Sequence, residues 1–141
     1  MDGSFDFDVV VVGGGPVGVT MGLLCAQRGL STMVVERAIE VYDLPRAIVM
    51  DDEIQRVLQG AGLSDLLGRI TSPLLGAEFV GVDGTRIIGI DIPPDLMSPL
   101  GHPFTVCYYQ PELEALLRSA AVDNGVDLRL GVQVDEVRDL S

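Results

Sequence analysis

The chain contains no lysine and no tryptophan, and it has one histidine among its 141 residues. The lack of lysine excludes a P-loop lysine and Schiff-base chemistry. One histidine, His102, excludes a multi-histidine metal site, and its position in a proline-flanked loop favours a solvated side chain over a catalytic base. The two cysteines, Cys25 and Cys107, show no metal-ligand spacing. We therefore predict no metal site and assign no catalytic residue.

Long apolar runs and positive charge are also scarce. No run reaches the roughly 18 apolar residues that a membrane-spanning helix needs. Nine basic residues stand against 21 acidic ones, a formal net charge of −12, and such a surface repels nucleic acid and anionic membranes. The first eight residues are acidic, unlike the basic start of a secretory signal. With two thiols, this composition leads us to expect a cytoplasmic protein.

The most informative segment is residues 7–36. An apolar run at residues 9–12 enters the glycine turn GGGPVG at residues 13–18, and a second apolar run ends in Glu36. The order strand, tight turn, helix, strand, carboxylate is typical of a dinucleotide site. Glu36 follows Gly13 at about the 20-residue spacing expected of an acid that binds the ribose.

Each residue of the turn has a predicted task. Gly13 allows the sharp turn, Gly15 lets the backbone approach a pyrophosphate, and Gly18 lets the helix pack closely on the strand. Pro16 suits a first helical turn, whose N–H groups favour a bound anion. The alternative, a turn used only for packing, leaves Glu36 unexplained. The candidate cofactor-binding residues here are Gly13, Gly15, Pro16, Val17 and Gly18.

The rest of the chain divides into an α/β part and an antiparallel part. Residues 51–59 are predicted to be a helix, and Ser64 is predicted to cap a shorter helix that ends at residue 67. Strand-like runs at 77–82 and 85–92 meet at an Asp-Gly hairpin signal, and residues 104–109 are predicted to be a third strand of that block. A helix starts near Pro111, with Glu114 expected on its surface, and strands are predicted at 126–130 and 132–137.

This pattern predicts a nucleotide-binding domain at residues 1–71 and 104–141, interrupted by an insertion at 72–103. The insertion is too short to build its own core, since three strands need a partner layer. The chain is also 48% hydrophobic. We therefore expect it to be the N-terminal portion of a longer protein. Its exposed apolar surface would favour association into a homo-oligomer.

The order of these segments resembles the class A flavoprotein monooxygenases, the FAD-dependent aromatic hydroxylases. The match covers nearly the whole chain but only about the first third of the family. Residues 44–53, LPRAIVMDDE, look like a segment of the 3-(3-hydroxyphenyl)propionate hydroxylase branch. Residues 108–113, YYQPEL, are similar to the point where a family glutamine opens a helix.

The resemblance implies further cofactor contacts. Arg46 would lie by the flavin's phosphate and ribityl region, and Gln110 would bind the ribityl chain. Arg37 would join Glu36 at the adenosine end, and the backbone at Val134 would approach the adenine. The plainer interpretations are an exposed loop arginine for Arg46, a helix cap for Gln110, a solvated side chain for Arg37 and strand core for Val134.

The family also implies a fold and an activity. The fold is α/β, a three-layer Rossmann-like FAD/NAD(P)-binding domain interrupted by the start of an antiparallel β substrate-binding domain. The enzyme would bind FAD, take hydride from NADH or NADPH, and place one oxygen of O₂ on a small phenolic substrate. The family's second flavin motif, a Gly-Asp pair, has no counterpart in this sequence, so we expect the chain alone to be inactive. Two alternatives stay open: another FAD oxidoreductase (a halogenase or a reductase), and a truncated, non-catalytic nucleotide-binding module.

Overall fold

The computed structural model describes residues 5–139. The chain forms two compact units: one takes in the chain up to Pro45 and from Gln110 onward, and the other is Arg46–Tyr109. The predicted division into a nucleotide-binding domain and an insertion at 72–103 stays a prediction. The elements in chain order are β1 (Val9–Val12), α1 (Pro16–Ala26), β2 (Thr32–Glu36), β3 (Val49–Asp51), α2 (Asp52–Gly60), α3 (Ser64–Ile70), β4 (Thr71–Pro73), β5 (Gly76–Val80), β6 (Arg86–Asp91), β7 (Thr105–Tyr108), α4 (Gln110–Asp123) and β8 (Asp127–Leu130).

The first unit is a parallel sheet with the strand order β1-β2-β8. Valine dominates β1 and β2, as expected for strands packed against helices, and the register pairs Val11 with Val34. Helices α1 and α4 pack on each other and on the strands. The largest fully buried side chains are Leu23, Leu117, Val19 and Val34. The predicted strand-turn-helix-strand unit is therefore confirmed.

Helix α1 lies very close to the sheet at Gly22. A Cβ atom at Gly22 would stand 2.5 Å from Cγ2 of Val34. This is well inside normal contact distance, so a larger residue here would push α1 away from β2. The close contact fixes how the start of the helix is held over the carboxyl ends of the strands.

The second unit holds two antiparallel sheets. One has the order β3-β7-β4, and the other is the hairpin β5-β6, whose turn contains Gly84 at a φ of 81°. The predicted hairpin and helix α2 are both confirmed. Asp51 caps α2, since its Oδ1 accepts a hydrogen bond of 2.9 Å from the N–H of Ile54. The apolar hairpin side chains are exposed, as expected of a piece without its own core; Ile87, for example, is 67% exposed.

Several local predictions are wrong. Strand β7 does not belong to the hairpin block but pairs with β3 and β4, two strands that the sequence did not predict. Helix α3 begins at Ser64 and continues to Ile70, and no side chain caps it. Residues 132–137 form no strand. Gly131 has a φ of 74°, and the N–H of Val132 donates a hydrogen bond to the carbonyl of Glu36. After this bond the chain leaves the sheet. Glu114 is buried, with 4% exposure, because it faces the interior of the first unit.

Candidate cofactor site

The glycine turn joins β1 to α1 at the carboxyl end of the parallel sheet. Gly13 has a φ of 109°, a conformation that disfavours residues with a Cβ atom, and its N–H donates to the carbonyl of Val35 at 2.8 Å. Gly15 is the N-cap of α1 and Pro16 is the first helical residue. The chain thus turns sharply from strand to helix, as predicted.

Two glycines of the turn differ in what surrounds them. A Cβ atom at Gly18 would lie 1.9 Å from the carbonyl oxygen of Gly13, so no larger residue fits without moving the turn. The predicted close packing of Gly18 is therefore present, and its main partner is the turn itself. At Gly15, a Cβ atom would meet no other atom within 4 Å. That open space is where a bound group can approach the backbone.

Glu36 closes the site from the end of β2. Its Oε2 accepts a 2.7 Å hydrogen bond from the N–H of Gly14, and its Oε1 accepts one of 2.8 Å from the N–H of Ala38. Gly14 is buried, and a Cβ atom there would stand 2.6 Å from Cβ of Glu36. The acid is therefore fixed in position by the backbone on both of its oxygens.

These contacts favour the charged form of Glu36. The hydrogen bond from the Ala38 N–H lowers the pKa of this carboxyl most, and the Gly14 N–H and the charges of Arg118 and Arg37 lower it further. Partial burial opposes the shift, since it disfavours the charged form. The pKa lies below its ordinary value, so Glu36 is a carboxylate at neutral pH.

A pocket of about 270 Å³ lies beside Glu36. It occupies the carboxyl ends of β1 and β2, the place where ligands bind in open α/β sheets. The pocket brings together four of the predicted site residues: Gly13, Glu36, Arg37 and Val134. Its complete lining is Val12, Gly13, Val35, Glu36, Arg37, Val132, Gln133 and Val134.

The two residues assigned to the flavin end differ in their surroundings. Arg46 belongs to the second unit and is exposed. Gln110 begins α4 in the first unit and is buried, and its Nε2 donates a 2.6 Å hydrogen bond to Oε1 of Glu114. Their contacts with a flavin stay predictions, as do the roles of the other candidate residues.

Sequence patterns missed two residues of the site. Gly14 stands between the glycines of the fingerprint, yet it is the residue that Glu36 contacts. Arg118 on α4 donates from Nη2 to the carbonyl oxygen of Gly14 at 3.2 Å. These residues are 104 positions apart, and no local pattern connects them.

The solitary histidine belongs to the second unit. His102 is half-buried rather than fully solvated, and its Nε2 is 3.2 Å from Oε1 of Gln59. Within residues 5–139, no helix is both long enough and apolar enough to cross a membrane.

Comparisons with known proteins agree with this geometry. The family described as "FAD binding domain" matches residues 6–139. A relative from Rhodococcus jostii, a probable NADH-specific resorcinol 4-hydroxylase, is 34% identical over 92% of this chain and 24% of its own length. A 3-(3-hydroxy-phenyl)propionate/3-hydroxycinnamic acid hydroxylase from a Mycobacterium species is 36% identical over 81% of this chain and 20% of its own length. The chain thus spans a quarter or less of these relatives.

Among solved structures, the p-nitrophenol 4-monooxygenase of Pseudomonas putida superposes with a TM-score of 0.78. It is 23% identical, and the match covers 93% of this chain and 33% of that enzyme's chain. At this identity the likeness shows the fold, and it confirms the predicted Rossmann-like α/β domain. With the family match across residues 6–139, it follows that the chain belongs to the FAD binding domain family.

Proposed function

We propose that the chain is the FAD-binding part of a monooxygenase that uses NADH or NADPH and O₂ to hydroxylate a phenolic substrate. The observation that carries the proposal is the fixed glycine turn, with Glu36 held across it and open space at Gly15. The names of the two curated relatives, hydroxylases of resorcinol and of a hydroxyphenyl compound, support the type of reaction and substrate.

The turn and the start of α1 suit a pyrophosphate. The first turn of α1 contains no acidic residue, so the positive end of the helix dipole is not offset by a side chain of its own. Gly15 keeps the backbone open to the phosphates, and Gly13 and Gly18 allow the tight turn that presents it. Pro16 fixes the first helical turn, and Val17 extends it. The residues of the chain therefore fit this part of FAD.

The adenosine end of FAD fits the pocket beside β2. A carboxylate offers about four lone-pair sites, and backbone N–H groups take two of those on Glu36. The others would accept hydrogen bonds from the hydroxyls of the ribose. Arg37 flanks the same pocket, and the backbone at Val134 borders it, where an adenine would stack and bond.

The flavin end of the cofactor would contact Arg46 and Gln110. Arg46 brings a fixed charge and a planar set of donors, and Gln110 offers an amide that suits hydroxyl groups. When bound, the flavin supplies the redox chemistry with NAD(P)H and O₂. The residues of this chain bind and orient it.

The test uses the whole protein that carries this chain. After purification and incubation with FAD, gel filtration should yield a yellow protein with bound flavin. Oxidation of NADH or NADPH should then be stimulated by resorcinol or by 3-(3-hydroxyphenyl)propionate. With isotopically labelled O₂, mass spectrometry should find one labelled oxygen in the product.

Each step of this experiment has an outcome that contradicts the proposal. Protein that stays colourless after incubation with FAD refutes the cofactor. Bound flavin without an oxygenated product, across a panel of phenols, would indicate another FAD oxidoreductase. A truncated nucleotide-binding module would show neither oxidation of NADH or NADPH nor an oxygenated product.

A further inference from the structure

Arg118 is a half-buried cation behind the glycine turn. Its Nη2 donates to the carbonyl of Gly14 at 3.2 Å. Its Nε is buried, and among the described residues it has no hydrogen-bond partner. A buried donor without a partner costs free energy, so the fold gains little from this side chain. This cost points to a role other than stability.

The contact completes a clamp on one residue of the turn, Gly14, whose N–H and carbonyl belong to two successive peptide groups. Glu36 accepts from the N–H of Gly14, and Arg118 donates to the carbonyl of the same residue. The two side chains have opposite charges and come from different elements, the end of β2 and the middle of α4. Both backbone polar groups of Gly14 are therefore held in place.

Fixing the carbonyl of Gly14 also fixes the N–H of Gly15. The described chain contains no cis peptide bond, and in a trans peptide the carbonyl and the following N–H point in opposite directions. The Gly15 N–H therefore points away from Arg118. The surroundings of Gly15 are open, with no other atom within 4 Å of an added Cβ.

Charge adds to this geometry. The chain has a formal net charge of −12, and a dinucleotide carries an anionic pyrophosphate. An arginine behind the turn adds positive charge near the place where that anion would lie.

We propose that Arg118 is a positioning residue for the pyrophosphate of FAD. Through the carbonyl of Gly14 it sets the Gly14-Gly15 peptide so that the Gly15 N–H faces the phosphates, and its charge attracts them. This inference rests on the proposed function, because FAD is the ligand.

The test compares three variants of the whole protein after removal of the flavin: Arg118→Met, Arg118→Lys and Arg28→Met. Arg28 is the matched control, because its Nη1 also donates to a backbone carbonyl, that of Leu24 at 2.7 Å, but at an exposed site. For each variant, the dissociation constant of FAD is measured by fluorescence titration. The melting temperature of the apoprotein is measured separately.

Arg118→Met should weaken FAD binding by at least about tenfold, the effect of losing one charge-assisted contact. Arg118→Lys should recover part of this loss, because it restores the charge without the planar set of donors. Arg28→Met should bind FAD like the wild type. The melting temperature of the Arg118→Met apoprotein should stay close to that of the wild type, because the loss of the donor to the Gly14 carbonyl is offset when an apolar side chain of similar length replaces an incompletely paired buried cation.

Unchanged FAD affinity in Arg118→Met overturns the inference. A fall in apoprotein melting temperature that accompanies the loss of affinity, with no recovery in Arg118→Lys, also overturns it, since Arg118 would then be a structural residue. A wild-type protein that fails to bind FAD would refute the proposed function itself, and this inference with it. These two failures are distinguished by the wild-type titration alone.

Discussion

Replacing Glu36 with glutamine is the most direct probe of the site. The new side chain has almost the same shape, but one acceptor oxygen becomes an amide NH₂ group that cannot accept a hydrogen bond. Either Gly14 or Ala38 then loses the acceptor of its N–H. Gly14 is buried, so water does not readily replace the lost partner.

The size of the effect follows from these contacts. An unsatisfied N–H, together with the loss of a charge-assisted bond, costs about 1–3 kcal/mol. In the whole protein that carries this chain, the melting temperature of the apoprotein should fall by no more than about 2–4 °C for each kcal/mol, since this shift decreases with chain length. Loss of the proposed ribose contact should weaken FAD binding by a similar free energy, which corresponds to about ten- to a hundredfold in the dissociation constant.

Both quantities are measured against Glu40→Gln, which removes the same charge from an exposed position nearby. Thermal unfolding followed by circular dichroism gives the melting temperature, and quenching of flavin fluorescence gives the affinity. The control should change neither quantity. If the two variants lose FAD affinity equally, Glu36 does not belong to the site and the argument from its hydrogen bonds is wrong.

The pH dependence of stability tests the same carboxylate. The pKa of Glu36 is lowered by the Ala38 N–H and then by Gly14, Arg118 and Arg37. Because the pKa is lowered in the folded state, the charged form of Glu36 stabilises the fold at pH values above the ordinary carboxyl pKa. This stabilisation is lost as the pH falls from the ordinary pKa through the lower pKa of the folded state. Wild-type protein should therefore lose more stability than Glu36→Gln on acidification below the ordinary value of 4.5, and parallel curves would contradict this.

Two further substitutions test the turn and the second unit. Gly18→Ala places a methyl group 1.9 Å from the carbonyl oxygen of Gly13; it should weaken FAD binding at least about tenfold and destabilise the fold by about 1–3 kcal/mol. Gly60→Ala, where an added Cβ meets open space, should change neither FAD affinity nor stability. Equal losses of affinity and stability in the two variants would refute the close-packing argument. Asp51→Ala removes the cap of α2 and should lower stability in urea unfolding by about 0.5–2 kcal/mol; an exposed acid, Asp95, is the control, and equal midpoints would show that the cap contributes nothing.

Local patterns in the sequence predicted the local structure around the candidate site well. The turn at residues 13–18, helix α1 and the position of Glu36 all depend on contacts between neighbours along the chain or between two adjacent strands. Glycine is needed at Gly13 because of its backbone conformation, and such a requirement is visible in a single sequence. The fold class followed from the same pattern.

The predictions that failed depend on contacts between distant segments. Apolar alternation made residues 104–109 a strand, but it does not reveal that β7 pairs with β3 and β4 instead of the hairpin. Strands β3 and β4 have three residues each, too few to show the alternation of apolar and polar residues that predicts a strand. Residues 132–137 alternate as a strand does, yet no strand in the described part of the chain pairs with them. Glu114 was expected to be exposed, but it is buried. Helical periodicity does not show what packs on each face of a helix, so the sequence could not reveal this.

The geometry at Gly14 resolves an apparent conflict in the charge of the chain. A carboxylate beside an anion-binding turn should repel a pyrophosphate, and so should a protein with a formal net charge of −12. At this site, however, both oxygens of Glu36 accept backbone N–H groups, and Arg37 and Arg118 lie close enough to lower its pKa. Its charge is therefore offset locally, while the start of α1 contains no acid. Since electrostatic attraction at short range depends on the nearest groups more than on net charge, an acidic chain can still present a positive surface to an anionic cofactor at this turn.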